Sequence, residues 1–241
     1  MEDDGFPAFE LRSGSMASAP EVPPPTPRAG ADGPGAVSAP GATIFVADDD
    51  ALVLFFVRGV LRTAGYRVEV FEQPERIVAR LSASDRGCVV LDLLMPALSG
   101  LDVQRMLLER GVPLPLIFMS GHADVPAAVA AMKRGAIDFL TKPIAPDELL
   151  RVVGRALRRD AEAAARREAR RQARARWQLL SARERSVCRL VEKGLVDKQV
   201  AAELGIALAT AHAQRTAAFK KLGIGLVVEL IRLLDLLDEG D

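Results

Sequence analysis

Between residues 42 and 157, short apolar and β-branched runs alternate with longer stretches in which apolar residues recur every three or four positions. Runs of the first kind are typical of strands, and stretches of the second kind are typical of helices. The predicted strands are 43–47, 67–71, 87–91, 114–119 and 136–140, and the predicted helices are 51–64, 74–83, 100–110, 124–134 and one from 146 onward. This order predicts an α/β domain with a five-stranded, doubly wound parallel sheet.

The helix that begins near 146 continues past the edge of this domain. Between Asp147 and Arg176 there is no proline, the only glycine is Gly154, and alanine and arginine dominate after residue 157. Such a composition favours one long helix that runs into a linker. The pattern leaves open whether this linker pairs with a second copy or is a solvated charged helix.

Four shorter helices are predicted after the linker, at about 182–192, 197–204, 208–222 and 226–237. Only three residues separate the second from the third, which is the spacing of a helix-turn-helix. The last helix is apolar around most of its circumference. This is a larger apolar surface than the core of one small module needs. We therefore expect a homodimer seam on that helix, formed by Leu226, Leu230, Ile231 and Leu234.

Composition divides the 241 residues into four segments. Residues 1–41 hold eight of the 15 prolines and six of the 19 glycines, so we expect a disordered tail. Gly14-Ser15 before Met16 resembles a cloning junction, with a natural tail as the alternative. The other predicted segments are an α/β domain at 42–157, a helical linker at 158–177 and a small all-α helix-turn-helix domain at 178–241.

Charge and cysteine usage narrow the class of protein. The net charge is zero, but residues 151–221 carry 18 basic and seven acidic groups, which fits either a polyanionic partner or a solvated helix. No apolar run approaches the roughly 20 residues of a membrane span. The two cysteines are a hundred positions apart, which argues against a disulfide framework or zinc site and for a reducing cytoplasm. The acidic first residues predict no secretory signal.

Polar side chains end four of the predicted strands at one edge of the sheet. Asp48 and Asp49 follow the first strand, Asp92 the third and Ser120 the fourth, and Lys142 lies just after the fifth. Clustered carboxylates repel one another unless a cation neutralises them, and Mg²⁺ prefers such oxygen ligands. The arrangement predicts a site that holds a phosphoryl group, with Asp92 as the nucleophile.

These residues resemble the motifs of the receiver domain of bacterial two-component response regulators, which has a flavodoxin-like fold. The matches are residues 44–50 (IFVADDD), 90–96 (VLDLLMP) with Gly100, 119–122 (MSGH) and 139–143 (FLTKP). Residues 121–126 (GHADVP) narrow the resemblance to the FixJ-like branch of the NarL/FixJ family.

The resemblance implies a role for each matching residue. Asp92 would be the phosphoacceptor for a sensor histidine kinase, and Mg²⁺ would be held by Asp48, Asp49, Asp92 and the backbone carbonyl of Leu94. Ser120 and Lys142 would contact the phosphoryl oxygens, and Phe139 would be an aromatic switch that moves with Ser120.

Residues 178–238 are similar to a LuxR-type helix-turn-helix, through 180–185 (LSARER), 194–195 (GL), 198–201 (KQVA), 204–206 (LGI), Thr210 and 221–223 (KLG). The resemblance implies that the third helix enters the major groove of double-stranded DNA. Ser181 and Glu184 fit a capping box at the first helix. The candidate DNA contacts are Lys198, Thr210, His212, Gln214, Arg215, Lys220 and Lys221.

The chain departs from the LuxR-type pattern at its recognition helix. Ala207 replaces the usual capping serine, which predicts a loss of about 1 kcal/mol of helix stability. His212 replaces a lysine and so removes a permanent positive charge, which predicts a DNA affinity that changes near about pH 6–7. Val196 stands at another common serine cap, where we expect Asp197 to substitute.

Three functions are weighed. The leading one is a phosphorylation-switched transcription regulator of the bacterial cytoplasm that dimerises on promoter DNA and is not an enzyme. The main alternative is an adaptor whose altered helix-turn-helix binds protein. A phosphatase-like hydrolase fits poorly, because no insertion supplies a substrate cap. Leu54, Phe55 and Phe56 are assigned mainly to the core, with a kinase-docking face as the alternative.

Overall fold

The computed structural model of the protein describes residues 41–121 and 125–238, with the side chains of residues 125–127 left out. The predicted N-terminal tail therefore lies outside the described residues, apart from Gly41, as do residues 122–124 of the FixJ-like stretch. Within the described residues, no helix is both long enough and apolar enough to span a membrane.

The described residues form five strands and nine helices in the predicted order. The elements are β1 Thr43–Ala47, α1 Ala51–Thr63, β2 Arg67–Phe71, α2 Pro74–Arg80, β3 Gly87–Asp92, α3 Gly100–Glu109, β4 Leu116–Ser120, α4 Val125–Lys133, β5 Asp138–Thr141, α5 Pro146–Gln178, α6 Ala182–Glu192, α7 Asp197–Leu204, α8 Leu208–Leu222 and α9 Val227–Asp238.

The five strands form one parallel sheet in the order β2-β1-β3-β4-β5. β3 and β4 are buried along their whole length, because helices cover both faces of the sheet. One core lies between the sheet and helices α1 and α5, and a second lies between the sheet and helices α2, α3 and α4. This confirms the predicted doubly wound architecture.

Two strand starts differ from the prediction. β4 begins at Leu116 instead of 114, because Pro113 and Pro115 have no N–H to donate to a neighbouring strand. Pro115 instead contributes its carbonyl, which accepts from the N–H of Val89. β5 begins at Asp138, two residues later than predicted.

Helix α1 exposes most of the apolar stretch that was assigned to the core. Leu54 is buried, but Phe55 is 69% exposed and Phe56 is 40% exposed, and Leu52 beside them is also exposed. The assignment to the core is therefore wrong for both phenylalanines. The face of α1 that packs on the sheet is filled by Leu54, Val57 and Leu61, which are spaced for one helical stripe.

Helix α5 is continuous over 33 residues, as predicted, which corresponds to about 50 Å. Its first turn has Pro146 followed by Asp147 and Glu148, residues that favour a helix start. Its first half packs against the sheet, and Ala173 and Trp177 near its end belong to the core of the C-terminal helices. The end of the predicted linker thus also contributes to the C-terminal domain.

Helices α6 to α9 share a third core, and their ends follow the sequence signals. Ser181 and Glu184 form the predicted capping box of α6. Gly205 and Gly223 close α7 and α8 in the left-handed conformation. Asp197 does not act as the cap of α7, which corrects that prediction: the side chain of Gln199 accepts the N–H of Val196 instead.

Candidate functional site

Asp48, Asp92 and Lys142 meet at the carboxyl edge of the sheet. The Nζ of Lys142 lies 2.6 Å from Oδ2 of Asp48 and 2.7 Å from Oδ1 of Asp92, so one ammonium links two carboxylates. The parallel register explains the meeting, since β1 pairs with β3 and both strands end at this edge. Three of the predicted site residues are therefore brought together.

The remaining oxygens of the two acids accept backbone hydrogen bonds. Oδ1 of Asp48 accepts the N–H of Asp50 at 3.0 Å, and Oδ2 of Asp92 accepts the N–H of Leu94 at 2.8 Å. Asp50 in turn caps helix α1 by accepting the N–H of Leu52. These bonds fix both carboxylates before any ligand arrives.

Burial and ion pairing act in opposite directions on this cluster. Burial raises the pKa of Asp48, while the hydrogen bond from Lys142 opposes that shift. Burial alone would lower the pKa of Lys142, but the hydrogen bonds to Asp48 and Asp92 outweigh it and raise that pKa. Lys142 therefore stays charged between the two acids.

The other predicted receiver residues lie around this cluster. Ser120 is 1% exposed at the end of β4, where it is paired with Thr141. Phe139 is half-buried in β5 and packs against the second core. Asp49 and Leu94 follow Asp48 and Asp92 closely in the chain, and both are exposed.

The donor set suits a hard cation, although the acids are not yet gathered around one. Among the described residues, no three metal-ligating side chains lie close enough together to form a ready-made site. Asp48, Asp49 and Asp92 nevertheless supply carboxylate oxygens at one edge, where Lys142 is the cation that the described residues pair with Asp48 and Asp92. That excess of negative charge fits Mg²⁺, which is bound through a few carboxylates and its own waters.

Two backbone features shape the chain after Asp92, of which Gly100 belongs to the matched motif and Ala97 was not singled out from the sequence. A Cβ added to Gly100 would lie 2.4 Å from the carbonyl oxygen of Asp92, so only glycine allows α3 to start this close to β3. Ala97 has a φ of 67°, a left-handed conformation that costs a non-glycine residue about 1 kcal/mol. Nothing in its residue type indicated that conformation.

Asp160 is a buried residue that sequence analysis missed. Its side chain is 1% exposed, and its Oδ2 accepts from Nε of Arg86 at 2.8 Å and from the N–H of Gly87 at 3.0 Å. A signal was available, because Asp160 continues the stripe of Leu149, Val153 and Ala156 at helical spacing. It fastens α5 to the start of β3.

The candidate DNA contacts form two groups. Lys198, Thr210 and Lys220 are exposed, as a DNA-contacting surface requires. His212 and Arg215 are instead joined to Asp197 of the preceding helix, at 2.8 Å from Nδ1 of His212 to Oδ2 and 3.0 Å from a guanidinium nitrogen of Arg215 to Oδ1.

Lys221 and Gln214 stay predictions as DNA contacts: Lys221 is exposed but paired, and Gln214 is half-buried. Lys221 donates to Glu184 at 2.8 Å, and that carboxylate is almost fully buried. Gln214 is half-buried, and its Oε1 has no hydrogen-bond partner among the described residues. The Nζ of Lys221 thus links α8 to α6.

The predicted dimer seam is wrong for two of its four residues. Leu230 and Leu234 are fully buried in the core shared by α6 to α9, so they cannot line an exposed seam. Leu226 is 62% exposed and Ile231 is 37% exposed. The apolar circumference of α9 is thus divided between the module's own core and a narrower outer strip.

Two family models match the chain. Residues 44–154 match the response regulator receiver domain, and residues 178–234 match the bacterial regulatory proteins of the luxR family. Together they span the sheet, the fifth helix in part, and the helix-turn-helix.

Relatives align over both parts. The chain is 37% identical to the response regulator protein TmoT of Ectopseudomonas mendocina, over 83% of this chain and 90% of that protein. It is 38% identical to the transcriptional regulatory protein FixJ of Bradyrhizobium diazoefficiens, over 79% and 93%. Among solved structures, the response regulator StyR matches with a TM-score of 0.74 and 36% identity, over 81% of this chain and 98% of StyR.

Proposed function

This chain belongs to the response regulators that join a receiver domain to a LuxR-type DNA-binding domain, and from that premise we propose that phosphorylation of Asp92 by a sensor histidine kinase controls its dimerisation and its binding to promoter DNA. It is a phosphorylation-regulated, DNA-binding transcription regulator, as the sequence predicted, and the adaptor alternative is not favoured. Proteins of this family are generally transcription factors without catalytic activity.

The observation that carries the proposal is the ammonium of Lys142 between Asp48 and Asp92. A phosphoryl group bound to Asp92 adds close to two negative charges at this point. Lys142 is within reach of those oxygens without any movement of the backbone. It would exchange its bond to Asp92 for a stronger one to the phosphoryl group.

Ser120 and Phe139 link this local change to the surface. Ser120 ends the neighbouring strand, and its carbonyl already accepts the N–H of Lys142 at 2.7 Å. A hydroxyl drawn toward the phosphoryl oxygens leaves space beside β5, into which the half-buried ring of Phe139 can turn. The outcome is a shift between two packed arrangements driven by one new charge.

Receiver domains generally bind Mg²⁺ at the acidic site, and here Asp48, Asp49, Asp92 and the Leu94 carbonyl would hold it. The ion supplies charge neutralisation for the transferring phosphoryl group. Asp48 is already held by the N–H of Asp50, so its part is to offer a fixed oxygen. Asp49 is exposed and free to turn toward an arriving cation.

The apolar face of α1 is the proposed docking surface for the kinase. Leu52 and Phe56 border a groove that also includes Lys142 and Pro143, so a partner seated there lies beside Asp92. Phe55→Ser should slow transfer from the kinase and leave labelling by acetyl phosphate unchanged. Leu108→Ser removes another exposed apolar side chain, from α3, and should affect neither reaction. Equal effects of both variants on kinase transfer would contradict the assignment.

The experiment that tests the proposed function compares DNA binding with and without phosphorylation. Wild-type protein treated with acetyl phosphate and Mg²⁺ should dimerise and bind a selected promoter duplex more tightly than untreated protein. Asp92→Asn should abolish this difference while it leaves the untreated affinity unchanged. A phosphorylation-dependent gain that persists in Asp92→Asn would refute the role of Asp92.

A further inference from the structure

The carboxylate of Asp197 links the two helices of the helix-turn-helix. It stands at the first position of α7, and its two oxygens have different partners on α8: Oδ2 meets Nδ1 of His212 and Oδ1 meets Arg215. The carboxylate is 19% exposed, whereas the His212 side chain is 70% exposed. One mostly covered acid thus holds two side chains of the proposed DNA-reading helix.

The bond to Asp197 determines which atom His212 can offer to a partner. Hydrogen bonds from His212 and Arg215 lower the pKa of Asp197, so this group is an ionised acceptor at neutral pH. An ionised carboxylate can only accept, and therefore Nδ1 of His212 carries the hydrogen. When the ring is neutral, its outer atom Nε2 is then a hydrogen-bond acceptor, and in the major groove the matching donors are the amino groups of adenine and cytosine.

The guanidinium of Arg215 makes two contacts within the domain. Besides its ion pair with Asp197, its guanidinium lies over the ring of Phe219, 5.3 Å from the ring centroid. The side chain is 34% exposed. A phosphate that recruits Arg215 competes with Asp197 for the charge of the guanidinium, so the acid lowers attraction to DNA of any sequence.

We propose that Asp197 is the positioning residue that gives α8 its sequence discrimination, because it presents Nε2 of His212 to an amino group of a base and withholds Arg215 from phosphates. This inference rests on the proposed entry of α8 into the major groove. Asp197 ties α8 to α7 through side chains, a contact separate from the helix cap that Ala207 does not supply.

The test compares two DNA probes at about pH 8, where a histidine ring is ordinarily neutral. One probe is a duplex selected from a random pool by the full-length wild-type protein, and the other is a random duplex of equal length. Asp197→Ala should lower affinity for the selected duplex about tenfold, the effect of one good base contact. Affinity for the random duplex should rise, with a salt slope steeper by about 0.9 because Arg215 gains a phosphate.

Two variants separate this role from a structural one. Asp197→Asn keeps an acceptor oxygen and should recover part of the discrimination. Glu203→Gln removes an exposed acid from the same helix and should leave the ratio of the two affinities unchanged. A parallel fall in both affinities in Asp197→Ala, or an unchanged ratio, would overturn the proposal.

His212→Ala distinguishes failure of the inference from failure of its premise. Loss of selected-duplex affinity in His212→Ala, with no change in Asp197→Ala, refutes the positioning role and leaves the reading helix in place. If neither variant alters selection while wild-type protein still binds, α8 does not read bases at His212 and the inference fails, whereas the entry of α8 into the groove does not depend on that one residue.

Discussion

The buried carboxylate of Asp160 should stabilise the receiver domain at the point where the long helix leaves it. In Asp160→Ala, the N–H of Gly87 loses its acceptor at a buried position, and an unsatisfied buried N–H costs roughly 1–3 kcal/mol. Arg86 is 38% exposed and can turn to water, so its loss adds little. We expect a local destabilisation of about 2 kcal/mol, which corresponds to about 30-fold more of the opened form.

The two cysteines provide a separate probe for each domain. Cys88 follows Gly87 in β3 and Cys188 lies in α6, and both side chains are fully buried. Burial raises the pKa of each thiol, that of Cys188 to about 11, so labelling requires opening of the surrounding structure. In the full-length chain, Asp160→Ala should speed labelling of Cys88 about 30-fold and leave Cys188 unchanged.

Asp160→Asn and Glu162→Gln complete the test. The asparagine oxygen can still accept the N–H of Gly87, so its effect should be smaller than that of alanine. Glu162 is an exposed acid on the same helix, and its change should stay within about 0.5 kcal/mol. A labelling rate of Cys88 in Asp160→Ala equal to that in wild-type protein would refute the reasoning. An equal increase in the labelling rate of Cys188 would also refute it.

Three further predictions concern the capping box and the backbone near Asp92. Hydrogen bonds from Lys221 and from the N–H of Ser181 lower the pKa of Glu184 below its ordinary 4.5. The stability that the ionised carboxylate contributes is therefore fully present above pH 4.5, and it is lost as the pH falls through the lower pKa of the folded state. Glu184→Gln should therefore lower the free energy of unfolding by about 1 kcal/mol at neutral pH and by little in acid, as measured by Trp177 fluorescence in urea. An equal loss at the two pH values would contradict the ion pair. Gly100→Ala should destabilise the receiver by about 1–3 kcal/mol and slow acetyl-phosphate labelling, whereas Gly59→Ala, with open space around its Cβ, should do neither. Ala97→Gly should stabilise the domain by about 0.5 kcal/mol in thermal unfolding, and a clear loss would show that the left-handed backbone carries no strain.

The sheet and the acidic edge could be predicted because both depend on local patterns. The strand β1 and the acids that follow it are visible in a few adjacent residues, and parallel strands must end at a common edge. That topology also places Lys142, which follows the fifth strand, at the same edge as Asp48. The long helix α5 was equally accessible, since composition alone favours it.

The remaining features depend on which surfaces meet, and periodicity does not contain that information. Phe55 and Leu230 are both apolar residues on amphipathic helices, yet one is exposed and the other is buried. Asp160 and Arg86 are 74 positions apart, and Lys221 and Glu184 are 37 apart. Such pairs are determined by packing of the whole domain, so sequence analysis did not find the ion pair that Lys221 makes with Glu184.

The central claim is that Asp92 accepts the phosphoryl group. The most direct measurement is peptide mapping by mass spectrometry of wild-type protein treated with acetyl phosphate and Mg²⁺. The acyl phosphate is trapped chemically before the protein is digested. We predict one phosphoryl group, located on Asp92, that requires Mg²⁺ and is absent from Asp92→Asn. A phosphoryl group on another side chain, or full labelling of Asp92→Asn, would contradict the account.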